Sequence, residues 1–211
     1  MSARDEILSS IRNSLGRAQG QAPPEPPPAR IRIPDVPLDR RIETFRAALE
    51  KLNGKVHLAA SLEDARDYTA RTLAGRSAVT SNAPLLAECG ISSLPGVQPG
   101  GSDRQTLREL CATLDAGITS ADFALADTGS LVMLSSREEA RLVSLLPLLH
   151  IAIVPRARLL TGLDELFTLL PVPSERSSAM VFITGPSRTA DIEQILVRGV
   201  HGPGEIHVVL V

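Results

Sequence analysis

Apolar residues first recur at helical spacing at Ile7, Leu8, Ile11 and Leu15. They follow an S-x-x-D capping pattern (Ser2, Asp5) and precede Gly16, which predicts a short amphipathic helix. The next stretch, AQGQAPPEPPPARIRIPDVP, is crowded with proline. Proline brings no amide hydrogen to a helix or a ladder, so the stretch reads as an extended linker. Ile42, Phe45, Leu49 and Leu52 then form a helical stripe closed by Gly54, followed by the strand-like KVHLAA. Ser61 and Asp64 cap a helix to about Leu73, and SAVTS reads as a short strand. LLAECG makes one more helical turn, GISSLPGVQPGG is a loop, and Asp103 to Leu110 is helical. ADFALADTGSLVMLSS reads as two strands around a D-T-G turn, where Gly129 supplies the positive φ. REEARLVSLLP is a short helix stopped at Pro147, and LHIAIVP is a buried strand. ARLLTGLDELFTLL is an amphipathic helix, AMVFITG a strand, SRTADIEQILV a helix and EIHVVLV the last strand.

Strands separated by helices of this length indicate βαβ units. The predicted fold class is α/β: a mixed, mainly parallel sheet with helices on both faces, plus an N-terminal appended helix. HIAIV, MVFIT and HVVLV are apolar throughout, as central strands buried on both faces are. The organisation is a helix over 1–17, a Pro-rich linker over 18–37 and an α/β domain over 38–211. The detached helix is too short to be stable alone, so it docks on its own domain or on a partner.

Composition narrows the function classes. The chain has 211 residues, 43% hydrophobic and 22% charged, enough for a sizeable core. A net charge of −2 leaves no basic face for a phosphate backbone, and 2% aromatics leave little to stack bases on, which argues against nucleic acid. Cys89 and Cys111 are too few to hold a structural zinc or an iron–sulfur cluster within the chain, and no metal site is expected. They read as buried small hydrophobes. The N-terminus lacks the apolar run of a secretory signal, and Val143 to Val154 is too short to span a bilayer. The expectation is a soluble cytoplasmic protein, with homo-oligomerisation open.

Three motifs can carry chemistry. In ITGPSRTADIE a strand turns at Gly185 into a helix whose first turn holds Ser187, Arg188 and Thr189. Free amides, hydroxyls and a guanidinium there make an anion site beyond a strand end, or else an ordinary capped junction. In GVHGPGE, glycines around His201 permit close approach, and His201 can move a proton; a tight connection is the other reading. In LADTGSL, Thr128, Gly129 and Ser130 present hydroxyls and an amide, or form a plain hairpin turn. Glu138 and Glu139 follow a strand, where a glutamate can act as base or nucleophile. Adjacent positions diverge, so at most one enters a given cleft, and acids at a helix start are favoured by the macrodipole in any case. His150 sits in an apolar strand as a core histidine, and neither a P-loop nor a dinucleotide fingerprint occurs.

ADFALADTGSLVM, EEARLVSLLPLLHIAIVP and ITGPSRTADIEQILVRGVHGPGEIHVVLV together resemble the LUD-domain family, as does the opening DEILSSIRNSLGR with its Pro-rich linker. The resemblance spans nearly the whole chain and is strongest from about Ala121 onward. It implies a fold like that of the sugar-phosphate isomerases and CoA-transferases. It also implies a role beside iron–sulfur partner proteins in oxidising L-lactate to pyruvate, with the clusters on those partners. Ser187, Arg188, Thr189, Asp191 and Glu193 would line a pocket for a small carboxylate or phosphate. Arg188 and the amides after Gly185 would clamp the anion, with Thr128 and Ser130 closing the other side and His201 taking the proton. The rival reading is a self-sufficient isomerase, CoA-transferase-like enzyme or ligase, with Glu138 or Glu139 as base or nucleophile. A non-catalytic anion sensor is a third.

Overall fold

The computed structural model describes residues 2–18, 20–22, 33–101, 103–192 and 195–211, so most of the proline-rich linker lies outside the described residues. The chain divides into two units, Met1–Arg32 and Ile33–Val211. The first holds helix α1 (Ala3–Ser14), whose Ser2 and Asp5 form a reciprocal capping box.

The second unit begins with α2 (Leu38–Lys51), β1 (Lys55–Leu58), α3 (Leu62–Leu73), β2 (Ala78–Thr80), α4 (Pro84–Glu88), β3 (Val97–Pro99), α5 (Arg104–Thr113) and β4 (Ala116–Ser120). It continues through β5 (Phe123–Leu125), β6 (Ser130–Leu134), α6 (Arg141–Leu145), β7 (Leu149–Val154), β8 (Leu159–Leu160) and α7 (Leu163–Leu169). It ends with β9 (Met180–Ile183), β10 (Arg188–Ile192), β11 (Ile195–Arg198) and β12 (Glu205–Leu210). Ser61 and Asp103 cap α3 and α5 by accepting from the amides of Asp64 and Thr106.

The main sheet is parallel throughout, in the order β1-β12-β7-β4-β2-β3. Ala65, Leu73, Leu86, Ile118, Ile151 and Val209 form the core on one face, beneath α3 and α4. On the other face Phe45 and Leu49 of α2 pack with Val208 and Leu210 and with Ala124, Leu131 and Met133 from a second sheet. Burying side chains such as Phe45 and Leu49 completely contributes about 1.5–3 kcal/mol each. The second sheet, β8-β5-β6-β9, is mostly antiparallel, and α7 covers its outer face through Leu166.

The α/β class and the mainly parallel sheet with helices on both faces agree with the sequence reading, and several details do not. AMVFITG becomes β9, an edge strand of the second sheet with Phe182 exposed, because an apolar run does not reveal which sheet it joins. SRTADIEQILV is no helix: β10 and β11 pair antiparallel, Arg188 against Arg198 and Thr189 against Val197. The β-branched Thr189, Ile192, Ile195 and Val197 suit strands, and the spacing of three among the first three of them, which reads as helical, was a coincidence of period. The GISSLPGVQPGG loop contains edge strand β3, and ARLLTGLDELFTLL splits into β8 and α7 at Gly162. AGITS, unassigned by pattern, forms the central strand β4.

Candidate functional site

Ser81 and Ser120 close the carboxyl ends of adjacent strands β2 and β4, the edge where open parallel sheets bind ligands. Between them sits Glu139. Its Oε1 accepts hydrogen bonds from Ser81 Oγ at 2.9 Å, Ser120 N at 2.8 Å and Ser120 Oγ at 2.6 Å. A hydroxyl turn holds it there: Ser136 Oγ accepts from the amides of Glu138 at 3.1 Å and Glu139 at 2.9 Å. The Asn82 amide donates to the Glu138 carbonyl, tying the turn to the end of β2. Glu139 turns inward while Glu138 is exposed. The helix expected to begin at these residues starts later, at Arg141.

Burial pushes the Glu139 carboxyl up to about 7; its hydrogen bonds oppose the rise and nearby Asp122 adds to it. Its Oε2 is buried with no partner among the described residues. A carboxyl of this kind takes up and releases a proton near neutrality. Ser120 forms the wall between Glu139 and a cleft of about 490 Å³, whose rim includes Asp122, Arg158 and Arg176. The Arg158 guanidinium lies 5.2 Å above the Phe123 ring. Asp122 accepts from the Leu134 amide at 2.6 Å, and burial raises its carboxyl. The cleft thus presents two cations, the Ser120 hydroxyl and the Asp122 carboxyl, with the Glu139 carboxyl one hydrogen bond behind Ser120.

The other predicted residues lie elsewhere. Without a helix after Gly185 there is no row of free amides, and the Ser187 amide donates to the Pro203 carbonyl. The Arg188 guanidinium donates to the Leu52 carbonyl at the end of α2, where the helix dipole favours a cation. Thr189 and Asp191 fall in β10, and Glu193 lies outside the described residues. His201 is exposed on the connection that enters β12. That is the opposite end of the sheet from Ser120: Glu205 aligns through Leu149 with Ala116, four strand residues or about 13 Å before Ser120. Thr128 and Ser130 do meet the end of β9: Ser130 Oγ lies 2.8 Å from both Thr128 Oγ1 and Thr184 Oγ1. Gly129 packs on α2 instead of facing a ligand.

The sequence reading missed Ser81, Ser120, Asp122, Arg158 and Arg176. The available signal was a hydroxyl at the end of each strand, in VTS and ITS, which becomes legible only once AGITS is known to be a strand. Cys89 and Cys111 are both buried, and burial raises the Cys111 thiol to about 11. Among the described residues no group of three or more His, Cys, Asp or Glu could hold a metal, and no helix is long and apolar enough to cross a membrane.

The LUD domain family model matches residues 42–211. A lactate utilization protein C from Halalkalibacterium halodurans is 31% identical, over 95% of this chain and 94% of its own length. Another of that name, from an Exiguobacterium species, is 32% identical over 99% and 95%. The crystal structure of a DUF162 family protein from Deinococcus radiodurans superposes with a TM-score of 0.64 at 16% identity, covering 83% of this chain and 98% of that one, and so shares the fold.

Proposed function

The chain belongs to the LUD domain family, and on that premise we propose that it serves lactate utilization, as the substrate-holding subunit of a system that oxidises L-lactate to pyruvate beside iron–sulfur partner proteins. The name its relatives carry supports the lactate assignment. The observation that carries the chemistry is the buried Glu139 carboxyl behind Ser120, on the wall of an arginine-lined cleft.

Arg158 and Arg176 provide planar guanidinium forks for the lactate carboxylate. The 2-hydroxyl then faces Ser120 Oγ, which takes the substrate proton as it passes its own to Glu139 Oε1. Going from lactate to pyruvate releases two protons and two electrons. Glu139 receives the hydroxyl proton; the second proton would go to solvent and the two electrons, one at a time, to iron–sulfur clusters that the partner proteins would hold.

Purification of the tagged chain with its partners, followed by L-lactate-dependent dye reduction, tests this reading. Glu139→Gln lowers the rate at least about tenfold, in keeping with loss of a general base. Arg158→Ala raises the lactate concentration needed for half-maximal rate. An unchanged rate in Glu139→Gln overturns the assignment of the site, and dye reduction by the chain alone overturns its role as a subunit.

A further inference from the structure

We infer a second ligand site on the outer face of the small sheet, built for an uncharged, planar ring compound that carries a carbonyl. It is independent of the Glu139 cleft. Helix α7 covers only part of this sheet, and between it and edge strand β9 lies a cavity of about 430 Å³, within the usual ~300–1,000 Å³ of small-molecule pockets. Phe167 of α7 and Phe182 of β9 line it from different elements and are 40% and 39% exposed. The chain has only four Phe and no Trp, so two exposed rings at one cavity are a large share of its aromatic surface. Leu125 and Leu163 complete the apolar lining.

The polar end of the cavity is the hydroxyl ladder Thr128–Ser130–Thr184. Three hydroxyls bring three donor hydrogens, and the two bonds of the ladder use two. One O–H is therefore unspent by the ladder in every arrangement and is free to donate to an acceptor on the ligand. No ionisable side chain lines the cavity, so a carboxylate or phosphate head would enter without a counter-charge. Aromatic walls favour a ring, through offset or edge-to-face contact, over a flexible chain that must be ordered on binding.

Equilibrium dialysis of the full chain with 2,3-dimethyl-1,4-naphthoquinone, whose blocked ring positions prevent thiol addition, tests the site. Saturable binding is expected. Phe182→Ala and the double variant Thr128→Val/Thr184→Val should each weaken it about tenfold or more, with circular dichroism unchanged. 2,3-Dimethylnaphthalene, which has the same shape without carbonyls, should bind at least about tenfold more weakly. No saturable binding of the quinone overturns the inference. So does equal binding of the hydrocarbon, which would show that the hydroxyls read nothing, or tighter binding of decanoate, which would make the cavity an acyl-chain site. Unchanged affinity in both folded variants places the quinone elsewhere and also overturns it.

Discussion

Ser120 and Glu139, 19 residues apart in the chain, meet through an Oγ–Oε1 hydrogen bond of 2.6 Å at the carboxyl end of the central parallel strands. A second bond from the Ser120 amide to the same oxygen makes the pair a rigid unit, leaving Oε2 buried and unpaired. The sheet supplies one partner and a loop supplies the other.

That pair should make stability depend on pH in an unusual direction. The folded carboxyl of Glu139 is raised to about 7, above its ordinary value of 4.5. Its contribution is therefore fully present below pH 4.5 and is lost as the pH rises through 7. Glu139→Gln should match the parent protein near pH 4.5 and exceed it above pH 7 by about 1–3 kcal/mol. Urea unfolding at the two pH values measures the difference; equal differences at both would show that Glu139 is not held protonated.

Gly117 controls where this carboxyl sits. A Cβ there would stand 1.8 Å from the Val143 carbonyl of α6, the helix that follows the Glu139 turn. Gly117→Ala must lift α6 from β4, with a cost of about 2–4 kcal/mol. The lactate-dependent rate of the assembled system should fall with it, although residue 117 touches no ligand. Denaturant midpoints and dye reduction on the same preparation would show whether the two losses travel together.

Gly129 should be equally intolerant for a structural reason. Its φ is +68° and a Cβ would lie 2.6 Å from the Leu49 backbone nitrogen, so the turn between β5 and β6 is seated directly on α2. Gly129→Ala combines left-handed strain with a clash, about 2–4 kcal/mol together. A shift of the thermal midpoint by less than a degree would refute this packing.

Arg188→Ala separates a helix cap from an anion clamp. With its guanidinium on the Leu52 carbonyl, the substitution should cost about 0.5–1 kcal/mol and leave the lactate dependence of the assembled system unaltered. A tenfold weaker response to lactate would restore Arg188 to the binding site.

Glu205 shows the opposite pH behaviour from Glu139. The hydrogen bond from His207 and then that from Lys55 hold its carboxyl down to about 2, while burial keeps His207 itself below its ordinary value. Its contribution is present above the usual carboxylate range and is lost as the pH falls toward 2. Because the Glu205 side chain is 36% exposed and shares its oxygens with exposed cations, screening limits this to about 1 kcal/mol or less. Glu205→Gln should thus lower stability slightly at pH 7, and the gap should close in acid, as measured by urea titration.

Much of this protein was legible in the order of its residues. The stripe Ile42, Phe45, Leu49 and the runs KVHL, LHIAIV and EIHVVL specify a helix and three strands, the last two of them buried, because burial acts on local periodicity. The serine cap of α3 and the glycine turn at 129 are likewise local rules that the fold obeys. Strand partners are not local. Which sheet MVFI joins, that RTADI pairs with ILVR, and that AGITS lies between β2 and β7 depend on hydrogen bonds between distant segments. These choices also build the candidate site. Glu139 stood out in the sequence as an acid after a strand, but its partners Ser81 and Ser120 lie 58 and 19 residues away. Its raised affinity for a proton comes from burial against them, a property of packed space that no spacing of letters records.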